Sequence, residues 1–489
     1  MAWLRKLAAR YSRPHRLTSV YFDTKRLKLR KHDVTLRVRR DGSKWIQTIK
    51  CGPTKVAAPL ERNEWEAELK TGRPDLKRAK GTPLARLVGH RSKKRLRPVF
   101  RTEVRRSVMN IHLNGSDIEV AFDQGTVVAG RQSEPICEIE LELKRGRIHD
   151  LAVLAGRLSR ALPLAFGPQA KSERGYALKL GEDQAPVRGK DIVLDPTQPA
   201  EGAFRQIGLS CLRQLAANQR AVDAGDGEGV HQMRVGLRRL RATISLFGPM
   251  LAGDETESIK TELRWLTEQL GPARDLDVLA EDSVAPLRAA NPDQPEIKVL
   301  EQEVMHELHG EVERARAAVR SERQRHLVLK TALWLLDGDW SRATVNRGRD
   351  RTIVSLAAEI LDRRTKKVLK RANRFSELDT LGRHRLRIAI KKLRYANEFF
   401  DSLFDHPVRK KRFTKILNDL QNSLGKLNDM AVHANRSHGI ARSHRRSPQL
   451  LQTAYAMGFL TGSEKAKAHA LERATEKAGK NLEHVDRFW

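Results

Sequence analysis

Acid is in short supply in this chain. Its 489 residues include 60 Asp or Glu against 93 Lys or Arg, giving a formal charge of +33 and a pI near 10.5. Such a field attracts polyanions: nucleic acid, an anionic membrane surface or inorganic polyphosphate. Aromatic residues make up only 5%, which leaves few platforms for stacking single-stranded bases. No RNA-recognition aromatic motif, zinc-finger spacing or basic zipper is present, so no specific nucleic-acid partner is expected. The three cysteines, Cys51, Cys137 and Cys211, lie far apart, which argues against disulfides or a cysteine metal site and fits a reducing cytoplasm. Nowhere do 18 apolar residues run together, and the opening MAWLRKLAARYSRPHRL is short and basic without an apolar core. A soluble protein of two to four domains, with no membrane partner and no secretory leader, is the expectation.

What the chain has in plenty is a cationic helix written twice. VHQMRVGLRRLRATISLF at Val230–Phe247 returns as RHRLRIAIKKLRYANEFF at Arg383–Phe400, with His231 matching His384 and Arg234 matching Arg387. Arg238 and Arg239 match Lys391 and Lys392, and Arg241 matches Arg394. At roughly 100° per residue, Met233, Leu237, Leu240, Ile244 and Phe247 form one narrow apolar stripe. His231, Arg234, Arg238 and Arg241 form a neighbouring band that contains no carboxylate. A solvated face is the ordinary fate of such a band, but solvated helices usually mix signs, because like charges at i,i+4 repel. A densely negative partner would remove that repulsion.

A second phrase follows each copy, LGPARDLDVL at Leu270–Leu279 and LGKLNDMAV at Leu424–Val432. Gly271 is expected to stop a helix and Pro272 to open the next. Asp275, Asp277 and Asp429 suit ion pairs or a helix dipole better than a metal. His231 and His384, without a paired carboxylate, suit phosphate hydrogen bonding better than metal ligation.

The first 180 residues read differently. Leu17–Asp23, Val34–Arg40, Lys44–Lys50, Arg62–Leu69, Val99–Val108, Ile118–Val128 and Ile136–Lys144 are short, alternating and bounded by turns. Arg37 and Arg39 share one face, as do Arg101, Glu103 and Arg105 on a later strand. Glu119 and Asp123 lie opposite Ile118, Val120 and Phe122, and Glu138, Glu140, Glu142 and Lys144 line one face of the last strand. Alternation leaves two readings open, a sheet wet on one side or a charged lumen. Glu is a poor strand residue, and the division into basic strands and an acidic one suits a metal and its polyphosphate.

YFDT at Tyr21–Thr24, LRVRR at Leu36–Arg40, WIQTIK at Trp45–Lys50, ERNEWE at Glu61–Glu66, CEIELELK at Cys137–Lys144 and KSERGYAL at Lys171–Leu178 together resemble the CYTH family of triphosphate tunnel metalloenzymes. The resemblance implies an antiparallel β-barrel enclosing a tunnel and an inorganic triphosphatase-type activity, the metal-dependent hydrolysis of a phosphoanhydride. It implies that Arg37, Arg39, Lys50, Arg62 and Arg101 bind triphosphate, with Lys171 and Arg174 closing one end. It further implies that Glu138, Glu140 and Glu142 hold Mg²⁺ or Mn²⁺. Family members open with a strand carrying E-x-E-x-K, whereas MAWLRKLAAR has no carboxylate. The expectation is therefore a barrel missing its first strand and a weak or absent hydrolase, the alternative being a polyphosphate-binding module without catalysis.

The doubled H-x-x-R-x-x-x-[RK]-[RK]-L-R motif, the two LG phrases and the closing RFW resemble the CHAD domain, the conserved-histidine α-helical domain. That resemblance implies an all-α domain of two pseudo-symmetric helical bundles whose groove binds inorganic polyphosphate. His231, Arg234, Arg238, Arg239, Arg241, His384, Arg387, Lys391, Lys392 and Arg394 would line the groove. CYTH followed by CHAD is a pairing known in bacterial chains, and it implies a cytoplasmic protein associated with polyphosphate granules. The expected fold is α+β multidomain: a tunnel domain at 1–180, a turn-rich linker at 181–199 and a helical domain at 200–489, its repeats near 200–345 and 350–489.

Overall fold

A computed structural model describes residues 8–52, 63–88, 96–182, 184–342, 348–443 and 450–489, without the side chains of 8–10, 433–443 and 450. Two compact units are present. One comprises Met1–Val187, Leu212–Arg220 and Arg325–Ala343, the other Arg188–Cys211, Ala221–Gln324 and Thr344–Trp489.

The first unit is built on an antiparallel sheet. Its strands are β1 (Ala8–Tyr11), β2 (His15–Thr24), β3 (Val34–Asp41), β4 (Lys44–Cys51), β5 (Asn63–Leu69), β6 (Leu96–Leu113), β7 (Ser116–Ala129) and β8 (Gln132–Arg145). They lie in the order β5-β4-β3-β2-β6-β7-β8, and β1 pairs with β6 beyond the end of β2. Among the described residues β5 and β8 are the sheet's edges. The sheet curls far enough for Glu64 on β5 to act on Lys144 of β8: against the downward pull of burial, a hydrogen bond to Glu142 and the fields of Glu119, Glu142 and Glu64 raise the lysine's pKa.

Alternation sorts the sheet into two faces. The apolar face carries Phe22, Leu36, Val38 and Ile49, which pack with Leu29 of α1 (Lys28–Lys31) and Leu84 of α2 (Pro83–Val88). Further along, Met109, Ile111, Ile118 and Val120 pack with Leu151, Leu154 and Leu158 of α3 (Ile148–Ala161). The other face carries the charges and one helix, α4 (Lys171–Leu180). Tyr176 and Leu178 of α4 join Tyr21, Phe100, Val104 and Ile136 in a buried cluster, with the Tyr21 and Phe100 rings stacked 4.4 Å apart. Gly175 permits this seating, since a Cβ there would lie 2.1 Å from the Phe100 ring. Asp23 of the YFDT motif ties the parts together. Its buried carboxylate accepts from the Leu29 and Arg30 amides at 2.9 and 3.0 Å and from the Tyr176 hydroxyl at 2.9 Å.

Helices make up the rest: α5 (Ala200–Ala217), α6 (Gln219–Asp223), α7 (Gly227–Leu246), α8 (Asp254–Leu279), α9 (Ala285–Ala290), α10 (Pro295–Arg320), α11 (Glu322–Asp337), α12 (Asp339–Arg342), α13 (Ile353–Ala372), α14 (Thr380–Phe400), α15 (Pro407–Ser443) and α16 (Leu450–Glu483). The duplicated motif lies on α7 and α14, each opened by an aspartate, Asp226 or Asp379, that accepts from a glycine amide three residues on. The expected stripe is the core of α7, with Met233, Leu237, Leu240, Ile244 and Phe247 all 2% exposed or less. Leu386, Ile390, Leu393 and Phe400 do the same for α14. The closing RFW packs inward, with the Phe488 and Trp489 rings 5.6 and 5.1 Å from Phe413.

The expected break at Gly271–Pro272 does not occur, because α8 runs through both residues. Proline removes one helical hydrogen bond, but Leu263, Leu266, Leu270, Ala273, Leu276 and Leu279 form one unbroken buried stripe that outweighs it. Gly271 serves packing instead: a Cβ there would meet Nη1 of Arg234 at 3.0 Å.

Candidate functional sites

On the charged face of the sheet, cross-strand register decides which side chains meet. Arg37 and Arg39 on β3 point the same way, opposite Thr48 and Ile46 of β4 and opposite Tyr21 and Ser19 of β2. Arg37 lies 3.6 Å from Glu64 and 3.9 Å from Glu66 of β5, and Lys50 lies 2.7 Å from Glu64. Nε of Arg39 donates to Ser19 at 3.3 Å, and burial, then the repulsion of Arg37 and Arg106, lowers its pKa to about 10. Nε of Arg37 is buried without an acceptor among the described residues.

Opposite these cations lies an acidic group. Arg106 of β6, Asp123 of β7 and Glu138 of β8 are successive cross-strand neighbours, with Glu140 two residues further along β8. Arg106 donates to both oxygens of Asp123, at 2.7 and 2.6 Å, and also to Glu140. From the first turn of α4, Lys171 reaches Asp123 and Glu140 at 2.7 Å each and also touches Glu138. One turn on, Arg174 donates to Glu138 at 3.2 Å and to Glu134 at 2.8 Å, and Arg220 also donates to Glu134. Burial alone would raise the Asp123 pKa, but hydrogen bonds and charge from Arg106 and Lys171 hold it below the usual carboxylate range. Glu140 is lowered in the same way, chiefly by Lys171 and Arg106 against burial.

The structure brings some of the expected residues together and sets others apart. Arg101 is on the other face of β6, exposed and paired with Glu103 at 2.6 Å. Arg106, an odd number of residues away, takes the inward place beside Thr102 and Val104. Glu142 pairs with Lys144 at 2.8 Å and does not join Glu138 and Glu140. The third carboxylate is Asp123, whose oxygen lies with one each from Glu138 and Glu140 inside a 4.8 Å span. Three convergent carboxylate oxygens are the donor set that Mg²⁺ or Mn²⁺ takes, so the residues fit such an ion. Arg62 lies outside the described residues.

In the helical unit, packing of α7 against α14 merges the two cationic bands. Arg234 pairs with Asp275 of α8 at 3.4 Å, and Arg274 pairs with Asp277. Both aspartates therefore serve the ion-pair role the sequence suggested. Burial lowers the pKa of Arg387, as does Arg238 of the other copy, while Asp429 of α15 and Asp275 partly offset this. Lys391 is pushed down to about 7, first by burial and then by Arg387, Arg238 and Arg234, against the pull of Asp429. Arg234, Arg238, Arg387 and Lys391 thus form one cluster drawn from both repeats. Buried Nε atoms of Arg234, Arg238, Arg387 and Arg394 have no acceptor among the described residues. Burial and Arg274 depress the His231 pKa, whereas His384 is exposed.

A basic flank continues from this cluster. Burial, then Arg364, Lys367 and Arg241, lowers the Lys392 pKa, and burial and Arg264 do so for Arg241. Arg241 also donates to Thr267 at 3.1 Å. Arg264, Arg364 and Lys367 sit on α8 and α13, outside the repeated motif. Arg239 departs from the band. It is 4% exposed, 2.8 Å from Glu398 and stacked over Phe399, because adjacent helical residues diverge by about 100°. Arg394 is also engaged, 3.6 Å from Glu398 and over the Tyr395 ring.

Comparison with known proteins supplies two family matches. The CYTH domain model matches residues 2–176 and the CHAD domain model matches residues 206–438. The chain is 32% identical over 164 residues to an inorganic triphosphatase of Haemophilus influenzae, a match spanning 33% of this chain and only 46% of that relative. It is 26% identical over 409 residues to an uncharacterised protein of Mycobacterium tuberculosis, covering 78% of this chain and 75% of the other. The crystal structure of the CHAD domain from the plant Ricinus communis superimposes with a TM-score of 0.53 at 29% identity, covering 62% of this chain and 98% of that one. The architecture is a CYTH domain followed by a CHAD domain. No helix among the described residues is long and apolar enough to cross a membrane.

Proposed function

From a CYTH domain followed by a CHAD domain, we propose a protein that handles inorganic phosphate chains at two places. The sheet unit hydrolyses the phosphoanhydride bonds of triphosphate with a divalent metal, and the helical unit binds inorganic polyphosphate. The observation that carries the reading is one curled sheet face bearing Asp123, Glu138 and Glu140 together with Arg37, Arg39, Lys50 and Arg106. Triphosphate oxygens would be bound by Arg37, Arg39 and Lys50, with Arg106 adding positive charge beside the carboxylates. Asp123, Glu138 and Glu140 would hold Mg²⁺ or Mn²⁺. When bound, that ion supplies Lewis acidity at a phosphoryl oxygen and orients water. Arg174, fixed between Glu134 and Glu138, borders the acidic group and keeps Glu138 in place. The labour divides between a tunnel domain at 1–180 and a helical domain at 200–489, with the segment Leu212–Arg220 serving the sheet unit through Arg220 on Glu134.

For the helical unit the support is the cluster of Arg234, Arg238, Arg387 and Lys391, contributed by both repeats and carrying buried donors. His231, Arg241, His384, Lys392 and Arg394 are assigned to its margins, and Arg239 to the interior. The assay is phosphate release from triphosphate with Mg²⁺ or Mn²⁺ and with chelator, beside binding of long-chain polyphosphate and of charge-matched duplex DNA. Metal-dependent release and a clear preference for polyphosphate are expected; equal affinity for both polymers would reduce the helical site to generic charge. A second reading, a sheet that binds triphosphate without turning it over, draws support from the neutralisation of the carboxylates by Arg106, Lys171 and Arg174. Triphosphate binding with no phosphate release under any metal would favour it.

A further inference from the structure

Lys171 occupies an unusual place for a residue expected to bind phosphate. Its ammonium lies 2.7 Å from Asp123 and 2.7 Å from Glu140, and it touches Glu138, so it rests among the three oxygens that would hold a metal. The group is balanced in charge. Asp123, Glu138 and Glu140 face Arg106, Lys171 and Arg174, three anions against three cations. A neutral group exerts little net attraction on a free dication, and an ammonium and a dication cannot share the same oxygens without strong repulsion.

The three cations are not equally fixed. Arg106 forks onto both Asp123 oxygens, and Arg174 is held by Glu134, Glu138 and the Pro135 carbonyl. Lys171 is a point charge on a flexible four-carbon stem, rooted in the first turn of α4, whose seat is fixed further along by Gly175 and Tyr176. It can therefore swing without moving its helix.

We propose that Lys171 is a built-in counter-cation of the carboxylate trio, which a divalent metal replaces when arriving triphosphate takes up the released ammonium. The inference rests on the triphosphatase reading and adds an order to it. Metal alone binds weakly, because displacing Lys171 leaves that ammonium without an anionic partner. Triphosphate supplies the partner, so metal and substrate bind with strong positive cooperativity.

The test is Mn²⁺ binding to the full chain, followed by the electron paramagnetic resonance of free Mn²⁺, with and without a non-hydrolysable imidotriphosphate. For the natural chain, Mn²⁺ should bind weakly alone and roughly tenfold or more tighter with the analogue. Lys171→Met should bind Mn²⁺ alone roughly tenfold tighter than the natural chain and gain less from the analogue. Lys171→Arg keeps the charge and should behave like the natural chain, which separates loss of the cation from damage to the fold. Unchanged or weaker binding of Mn²⁺ alone to Lys171→Met would overturn the inference while leaving the metal site standing. If no variant bound Mn²⁺ under either condition, the inference and the metal-dependent reading would fall together.

Discussion

Raising the pH from 6 to 8 at constant salt is expected to weaken polyphosphate binding about tenfold, through Lys391. Its pKa in the free protein is about 7, set by burial and then by Arg387, Arg238 and Arg234, with Asp429 opposing. Bound phosphates would restore negative charge around the ammonium and move that value toward the ordinary lysine value of about 10.4. Binding therefore takes up a proton whenever Lys391 starts neutral. At pH 6 about a tenth of free molecules have neutral Lys391, and at pH 8 about nine-tenths do, so affinity falls as pH rises through 7. The assay is calorimetric titration of the full chain in two buffers of different ionisation enthalpy, which counts protons directly. Ionic strength must be fixed, since phosphate contacts are strongly salt-dependent. Lys391→Arg should lose the slope and keep the binding. A natural chain with a flat profile, or a Lys391→Arg variant with the same slope, would refute the reasoning.

Other perturbations separate the sites. Arg238→Glu combined with Lys391→Glu should abolish polyphosphate binding at physiological salt, because the two residues belong to one cluster; either change alone should weaken it by a similar factor in the same binding assay. Arg239→Met should leave polyphosphate affinity intact but lower stability by about 1 kcal/mol in chemical denaturation, since it removes the nearer of the two cations on Glu398 and the contact with the Phe399 ring, leaving only Arg394 at 3.6 Å among the described residues. Gly175→Ala forces a methyl into the Phe100 ring and should cost about 1–3 kcal/mol, lowering the thermal midpoint and loosening Lys171 and Arg174; an unchanged midpoint would show that α4 is not seated on Phe100.

The parts readable from the sequence were those with a strict local period. The α7 stripe from Met233 to Phe247 and the alternation that puts Glu138 and Glu140 on one face needed only the geometry of a helix and a strand. What escaped depends on register between strands or on distant helices. Asp123 alternates with Val120 and Phe122 as any wet strand residue would, and only its pairing with Arg106 and Glu138 turns it inward to the group. Arg101 and Arg106 are both strand cations, and the choice between them required the offset of β6 against β2. Glu142 had a local hint, since Lys144 shares its face two residues on. Gly271–Pro272 looked like a helix boundary because local breaker signals ignore a buried stripe spanning the site. Arg264, Arg364 and Lys367 carry no motif, and only folding sets them beside Lys392 and Arg241.

The most direct test of the account is triphosphate hydrolysis by three single variants of the full chain in Mg²⁺ or Mn²⁺: Asp123→Asn, Glu140→Gln and Glu142→Gln. The first two remove oxygens from the proposed metal group, and the third removes a carboxylate that pairs with Lys144 outside it. Metal-dependent phosphate release should be lost in Asp123→Asn and Glu140→Gln, with folding retained by circular dichroism, and kept within a few-fold in Glu142→Gln. Turnover that survives Asp123→Asn but disappears in Glu142→Gln would contradict the account.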